Sequence, residues 1–179
     1  MVSSRSSSGS GSASDGFGRV RAVAMDVDGV LTDGSFVWGT DGTEFKRFCF
    51  ADITGIALAR SSGLAIALIS GESSAAGQLL VGRLADKLGI TDVYKACHDK
   101  AAALRSFASA HAVGLDEVCY IGDDVIDLPA MEIAGLSVAP ANAHPSVKNL
   151  ANYVAAASGG QGVAREILDL IVDGQGRSR

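Results

Sequence analysis

Val20-Arg21-Ala22-Val23-Ala24-Met25-Asp26-Val27-Asp28-Gly29 is the stretch on which the fold turns. Residues 20–27 are a short apolar, β-rich run, and they end abruptly on two carboxylates and a glycine. Two carboxylates at the end of a buried strand are costly unless a cation sits beside them. Taken alone, an Asp-x-Asp at a strand end is also an ordinary turn or cap.

Outward from this run the pattern first changes, then repeats. Ser35-Phe36-Val37-Trp38, the turn Gly39-Thr40-Asp41-Gly42 and residues 43–50 read as a β-hairpin, two alternating runs around a Gly/Asp turn. Its aromatics Phe36, Trp38, Phe45, Phe48 and Phe50 are too many for an isolated ribbon, so this face is expected to pack on something, another subunit included. From Asp52 onward the spacing predicts helices at 55–62, 74–88, 100–111, 128–134, 145–150 and 163–172. Between them it predicts strands at 65–70, 92–94, 118–121, 136–138 and 153–154. Apolar strands separated by helix-length segments imply an α/β fold, a Rossmann-like central parallel sheet flanked by helices. In such sheets ligands bind beyond the carboxyl ends of the strands.

Four features fall at those ends or open the helices that follow: Asp26-x-Asp28, Ser70-Gly71, Lys100, and Gly122-Asp123-Asp124-x-x-Asp127. Clustered carboxylates repel by about 4 kcal/mol per pair at roughly 4 Å, for an effective dielectric near 20, unless a divalent cation neutralises them. Hard oxygen donors without a His or Cys cluster select Mg²⁺ over zinc. With Mg²⁺ polarising a phosphoryl group, Asp26 is the candidate nucleophile and Asp28 the candidate acid/base. Ser70 would donate to the phosphoryl oxygens, and Lys100 would neutralise their developing charge. Asp26, Asp28 and Asp123 are the candidate metal ligands, with Asp124 and Asp127 behind them. The competing reading of Gly122-Asp-Asp-x-x-Asp127 is a helix N-cap.

The sequence has 179 residues, is 47% hydrophobic and carries a formal net charge of −5. That length suits one domain with a substantial core. An acidic chain without a basic stripe is not expected to bind nucleic acid. No stretch reaches the roughly 18 apolar residues of a membrane span, and none resembles the apolar core of a signal peptide. Cys49, Cys97 and Cys119 form no metal or disulfide pattern, which fits a cytoplasmic protein. Residues 1–18, mostly Ser and Gly, read as a disordered leader, and a transit peptide is the weaker reading. Residues 19–173 read as the folded domain and 174–179 as a flexible tail.

DVDGVLTDG, ISG, Lys100 and GDDVIDLP resemble the four motifs of the haloacid dehalogenase-like phosphatases, and the match runs from Arg21 to Asp173. Only the hairpin, at about 35–50, interrupts them, so no large cap domain fits. This is similar to the capless branch, whose members form homotetramers in which hairpins pack together and neighbouring subunits complete the active sites. Within it the chain resembles the sugar-acid phosphatases acting on 3-deoxy-manno-octulosonate 8-phosphate or 2-keto-3-deoxy-nononate 9-phosphate. The resemblance implies a phosphorylated 2-keto-3-deoxy acid as substrate. Asp52 matches their D-x-x-GI segment, and residues 159–166 match their C-terminal GGxGxxRE signature. Arg165 is thereby a candidate for the substrate carboxylate, with the tail lent to a neighbouring subunit; its other reading is a helix-start ion pair with Glu166 or Asp169. Glu72 stands where the octulosonate phosphatases usually carry Arg; with Lys87 it resembles the nine-carbon group, which is slightly preferred. Glu72 reads equally as a carboxylate at a helix N-terminus. The alternative to an enzyme is a phosphatase-like oligomerisation or regulatory module of the kind attached to acylneuraminate cytidylyltransferases.

Overall fold

The computed structural model describes residues 13–176. Six strands form one parallel sheet: β1 (Ala22–Met25), β4 (Ala65–Ile69), β5 (Asp92–Tyr94), β6 (Val118–Ile121), β7 (Leu136–Ala139) and β8 (Tyr153–Val154). Their order is β5-β4-β1-β6-β7-β8, with β1 central. The register pairs Ala22 with Ala65 on one side and with Val118 on the other. The first β-run therefore lies between the two strands that deliver the other motifs.

Side chains alternate across β1 because successive residues of a strand face opposite ways. Val23 and Met25 join the core under α2 (Phe50–Ser61), α3 (Ala75–Leu88) and α7 (Val163–Gly174). Ala22 and Ala24 face α4 (Lys100–Ala110), α5 (Leu128–Met131) and α6 (Pro145–Leu150). The result is a three-layer α/β/α sandwich. Small alanines on the second face let Leu104 and Phe107 of α4 pack close to the sheet, both fully buried. Helix α3 has a Ser74 N-cap, which accepts from the Gly77 N–H at 3.0 Å, and a left-handed Gly89 at its end.

The hairpin is shorter than its sequence suggests. β2 (Val37–Trp38) pairs antiparallel with β3 (Glu44–Phe45), and Phe50 already opens α2 rather than ending a strand. Asp52 and the Ile53/Ile56 stripe gain more in a helix against α7 than in an extended ribbon. Residues 13–18, counted above with the leader, form the short helix α1 (Ala13–Gly18). Phe17 is buried there and meets Tyr153 edge-on with ring centroids 5.4 Å apart. Residues 1–12 and 177–179, the rest of the leader and the tail end, lie outside the described residues. Among those described, no helix is long and apolar enough to cross a membrane.

Candidate active site

Asp26 follows β1 directly, and its N–H continues the ladder to the Ile121 carbonyl at 3.0 Å. Gly29 turns the chain at φ +89°, and a Cβ there would lie 1.9 Å from Asp123 Oδ2. Only glycine lets the loop after β1 touch the loop after β6. Thr32 holds the same turn by accepting from the Gly29 and Gly34 N–H groups, both at 3.2 Å. Asp26, Asp28, Gly71, Glu72, Asp123 and Asp124 line one open cleft of about 400 Å³ at the carboxyl ends of the strands.

Beneath it, Lys100 is buried, with its ammonium 3.0 Å from Asp26 and 2.7 Å from Asp127. Burial pulls that ammonium down, but Asp26 and Asp127 together more than offset it and leave it raised. Burial drives the Asp26 carboxyl up to about 8, helped by Asp127 and opposed by Lys100. Asp123 is pushed up to about 7, again first by burial and then by Asp127. One Lys does not neutralise this cluster.

Asp26, Asp123 and Asp127 present carboxylate oxygens within 4.8 Å of one another, a set able to hold a metal ion. Asp127 is nonetheless fully engaged. Its Oδ1 accepts from Lys100 and Tyr120, and its Oδ2 from the Asp123 and Asp124 N–H groups. Its Oδ2 thereby ties down the Asp123–Asp124 loop. Asp123 Oδ1 is buried without any hydrogen-bond partner, an orphan that a divalent cation would satisfy. Hard oxygens, two raised carboxyls and that orphan fit such an ion.

Other sequence candidates fare differently. Ser70 is buried at the end of β4, where its Oγ accepts from the Glu72 N–H at 3.2 Å. Asp28 does not join the carboxylate cluster; its Oδ1 takes Lys46 Nζ at 2.7 Å. Asp124 caps the 3₁₀ turn Val125–Asp127 by accepting from the Val125 N–H. Glu72 accepts from the Ser74 N–H at 2.7 Å and lies 3.7 Å from Lys46, and the Ser74 bond holds its carboxyl below the usual range.

Within one subunit, three candidates are not brought to the cleft. Asp52 is buried against the start of α7, accepting from the Gly162 N–H at 3.2 Å and the Arg165 N–H at 2.9 Å. It satisfies helix donors that would otherwise be orphaned. Arg165 pairs with Asp169 at 2.6 Å and packs on Gly55. Lys87 is exposed in the last turn of α3, about 20 Å along the helix from the Ser74 cap at 1.5 Å per residue. Gly159 and Gly160 lie against the turn after β1, with the Gly160 N–H on the Val30 carbonyl at 2.9 Å.

Two residues escaped the sequence reading. Tyr120 is a fully buried phenol inside an apolar strand, where only its partner reveals a purpose. Lys46 comes from the hairpin, with its side chain 1% exposed and its ammonium 5.2 Å from the centre of the Phe36 ring. Counting antiparallel pairs back from the Gly39–Gly42 turn sets Lys46 opposite Phe36, and that signal was available.

A parallel sheet carrying two acidic loops and a buried lysine at its carboxyl edge defines the class. The chain belongs to the haloacid dehalogenase-like hydrolases, whose family profile matches residues 78–167, and within them to the phosphatases of phosphoric monoesters. The 3-deoxy-D-manno-octulosonate 8-phosphate phosphatase KdsC of Escherichia coli K12 is 40% identical over 158 residues, 88% of this chain and 82% of that protein. The Yersinia pestis phosphatase of the same name has a solved structure that superposes with a TM-score of 0.86 at 38% identity, covering 92% of this chain and 86% of that one. The Moraxella catarrhalis phosphatase, solved with a magnesium ion, a phosphate ion and a KDO molecule, gives 0.85 at 33% identity, with 91% of each chain covered.

Proposed function

We propose that this protein hydrolyses the terminal phosphate of a 2-keto-3-deoxy sugar acid with Mg²⁺, through a phosphorylated Asp26. The observation that carries this reading is the joint approach of Asp26, Lys100 and the unpartnered Asp123 Oδ1 beneath one cleft. Asp26 and Asp123 would hold Mg²⁺ through their side chains. When bound, the ion polarises the phosphoryl group and removes the repulsion between the carboxylates.

An Asp26 oxygen attacks phosphorus, and the bond from phosphorus to the sugar oxygen breaks. Asp28 gives its proton to that departing alkoxide. Asp28 then takes a proton from water as the water oxygen attacks phosphorus, the bond to Asp26 breaks and inorganic phosphate leaves. Lys100 and Ser70 face the charge that builds on the phosphoryl oxygens.

For the sugar acid, we infer 3-deoxy-manno-octulosonate 8-phosphate over the nine-carbon 9-phosphate. Glu72 and Lys87 favoured the longer acid, but Glu72 is engaged by Ser74 and Lys46, and Lys87 is remote from the cleft. The 40% identity to octulosonate phosphatases points the same way. A homotetramer in the cytoplasm is part of the proposal. Its support is the set of exposed apolar side chains on the hairpin, with Phe36 at 52%, Trp38 at 72% and Phe45 at 55%.

The test is phosphate release from both purified sugar-acid phosphates with and without Mg²⁺, beside Asp26→Asn. Higher kcat/KM on the eight-carbon substrate is expected, and the reverse ranking overturns the choice of acid. No turnover of either by wild type or variant would favour the module reading. Light scattering after size exclusion reads the oligomer, and a monomer overturns that part.

A further inference from the structure

Each carboxylate of the Asp26-x-Asp28 pair has its own buried lysine. Lys100 joins Asp26 to Asp127, and Lys46 joins Asp28 to Glu72. The two ammoniums therefore sit on different carboxylates, one holding the residue that attacks phosphorus and the other the residue that serves the leaving group. Lys46 belongs to neither flanking strand of the sheet. It reaches Asp28 from 18 residues away because the hairpin folds back over the loop after β1.

We propose that Lys46 is a positioning residue for the proton transfer to the leaving alkoxide, and this rests on the phosphatase reading above. A free aspartate side chain turns among rotamers, and its two oxygens exchange places. With Oδ1 held at 2.7 Å by an ammonium that is 1% exposed, Asp28 keeps one orientation. Its Oδ2 is then the oxygen that exchanges the proton with the sugar oxygen. Glu72, at 3.7 Å, and the Phe36 ring, at 5.2 Å, keep the ammonium from swinging away. Glu72 is thus a support for Lys46, and its own carboxylate is fixed in turn by the Ser74 N–H. The hairpin supplies part of the acid/base machinery as well as an apolar face.

The chemistry offers a readout that a merely structural lysine would not move. A sugar alkoxide is a poor leaving group and needs its proton during bond cleavage, whereas p-nitrophenolate leaves with little help. Wild type, Lys46→Met, Lys46→Arg and Glu72→Gln are compared on octulosonate 8-phosphate and p-nitrophenyl phosphate, with Mg²⁺, at matched fold by thermal melting. Because a positioned general acid is worth about 10²–10⁴ in rate, Lys46→Met is expected to lose about 100-fold in kcat on the sugar ester and about tenfold less than that on the aryl ester. KM should move far less than kcat. Lys46→Arg, which keeps the charge, should recover roughly tenfold of the loss, and Glu72→Gln should fall between wild type and Lys46→Met. Equal losses on the two esters, or a loss confined to KM, would overturn the inference. So would unchanged kinetics in Lys46→Met with an active wild type. A wild type inactive on both esters overturns the phosphatase reading itself, and the inference falls with it.

Discussion

Tyr120 donates its buried hydroxyl hydrogen to Asp127 Oδ1 at 2.7 Å, the same oxygen that receives the Lys100 ammonium at 2.7 Å. Burial, then Asp127 and Asp26, push the phenol well above its ordinary range, so it stays a donor throughout the working pH range. Asp127 in turn orders the Asp123 loop through two N–H groups. Tyr120→Phe keeps the ring and removes only the donor. It is expected to cost about 1.5–3 kcal/mol in urea unfolding, as for a lost hydrogen bond to a charged group, with kcat falling several-fold. Asp127→Asn should be worse on both counts, because it leaves Lys100 with one carboxylate.

The cluster makes the metal-free protein sensitive to pH. Asp26 and Asp123 rise from an ordinary value of 3.8 to about 8 and about 7. A carboxyl raised on folding binds its proton more tightly in the folded chain. Its contribution is therefore fully present below the unfolded value and is lost as pH climbs through the folded one. The Tm of the metal-free protein should fall from roughly pH 4 to roughly pH 8, by several degrees for a chain of this size. Mg²⁺ binds the deprotonated carboxylates, so its stabilising effect should grow over the same range. A melting series at each pH, with and without Mg²⁺, reads both slopes.

Asp26→Asn removes the charge that burial and Asp127 oppose. At pH 8 without metal the variant should melt above wild type. Its phosphate release should drop by about 10³-fold or more, as expected for loss of a nucleophile. Calorimetric titration with Mg²⁺ should show weakened binding alongside.

Gly29→Ala addresses the contact between the two acidic loops. The new Cβ would lie 1.9 Å from Asp123 Oδ2 at a backbone φ of +89°. Strain of about 1–3 kcal/mol is expected in unfolding experiments. Displacement of Asp123 should weaken Mg²⁺ by about 10–100-fold, seen as a rightward shift in the Mg²⁺ dependence of kcat.

Asp52→Ala separates helix capping from substrate contact. The carboxylate serves the Gly162 and Arg165 N–H groups, so its loss should cost about 1–2 kcal/mol of stability. Well below the melting transition, kcat/KM should stay within about threefold of wild type, since rates report only contacts that the transition state feels. A selective fall in kcat/KM at intact fold would return Asp52 to the substrate.

Much of this molecule was legible in its local patterns. The 3.6- and 2-residue periods and the glycines at turns marked nearly every strand and helix, because secondary structure here follows which face must be buried. The charge at β1's end was legible in part: Asp26 and Asp28 each meet a cation, the ammoniums of Lys100 and Lys46, and only Lys100 stood out in the sequence. Tertiary structure alone decided what those groups touch. Asp52 meets Arg165 across 113 positions, and Lys46 meets Asp28 across 18. Both depend on how α7 and the hairpin fold back on the sheet. Glu72 and Lys87 share a helix region in sequence, yet the length of α3 carries Lys87 away from the cleft while Ser74 and Lys46 hold Glu72 at its rim. Residue type and spacing set what each side chain could do, and packing across the sheet selected which of those possibilities was realised.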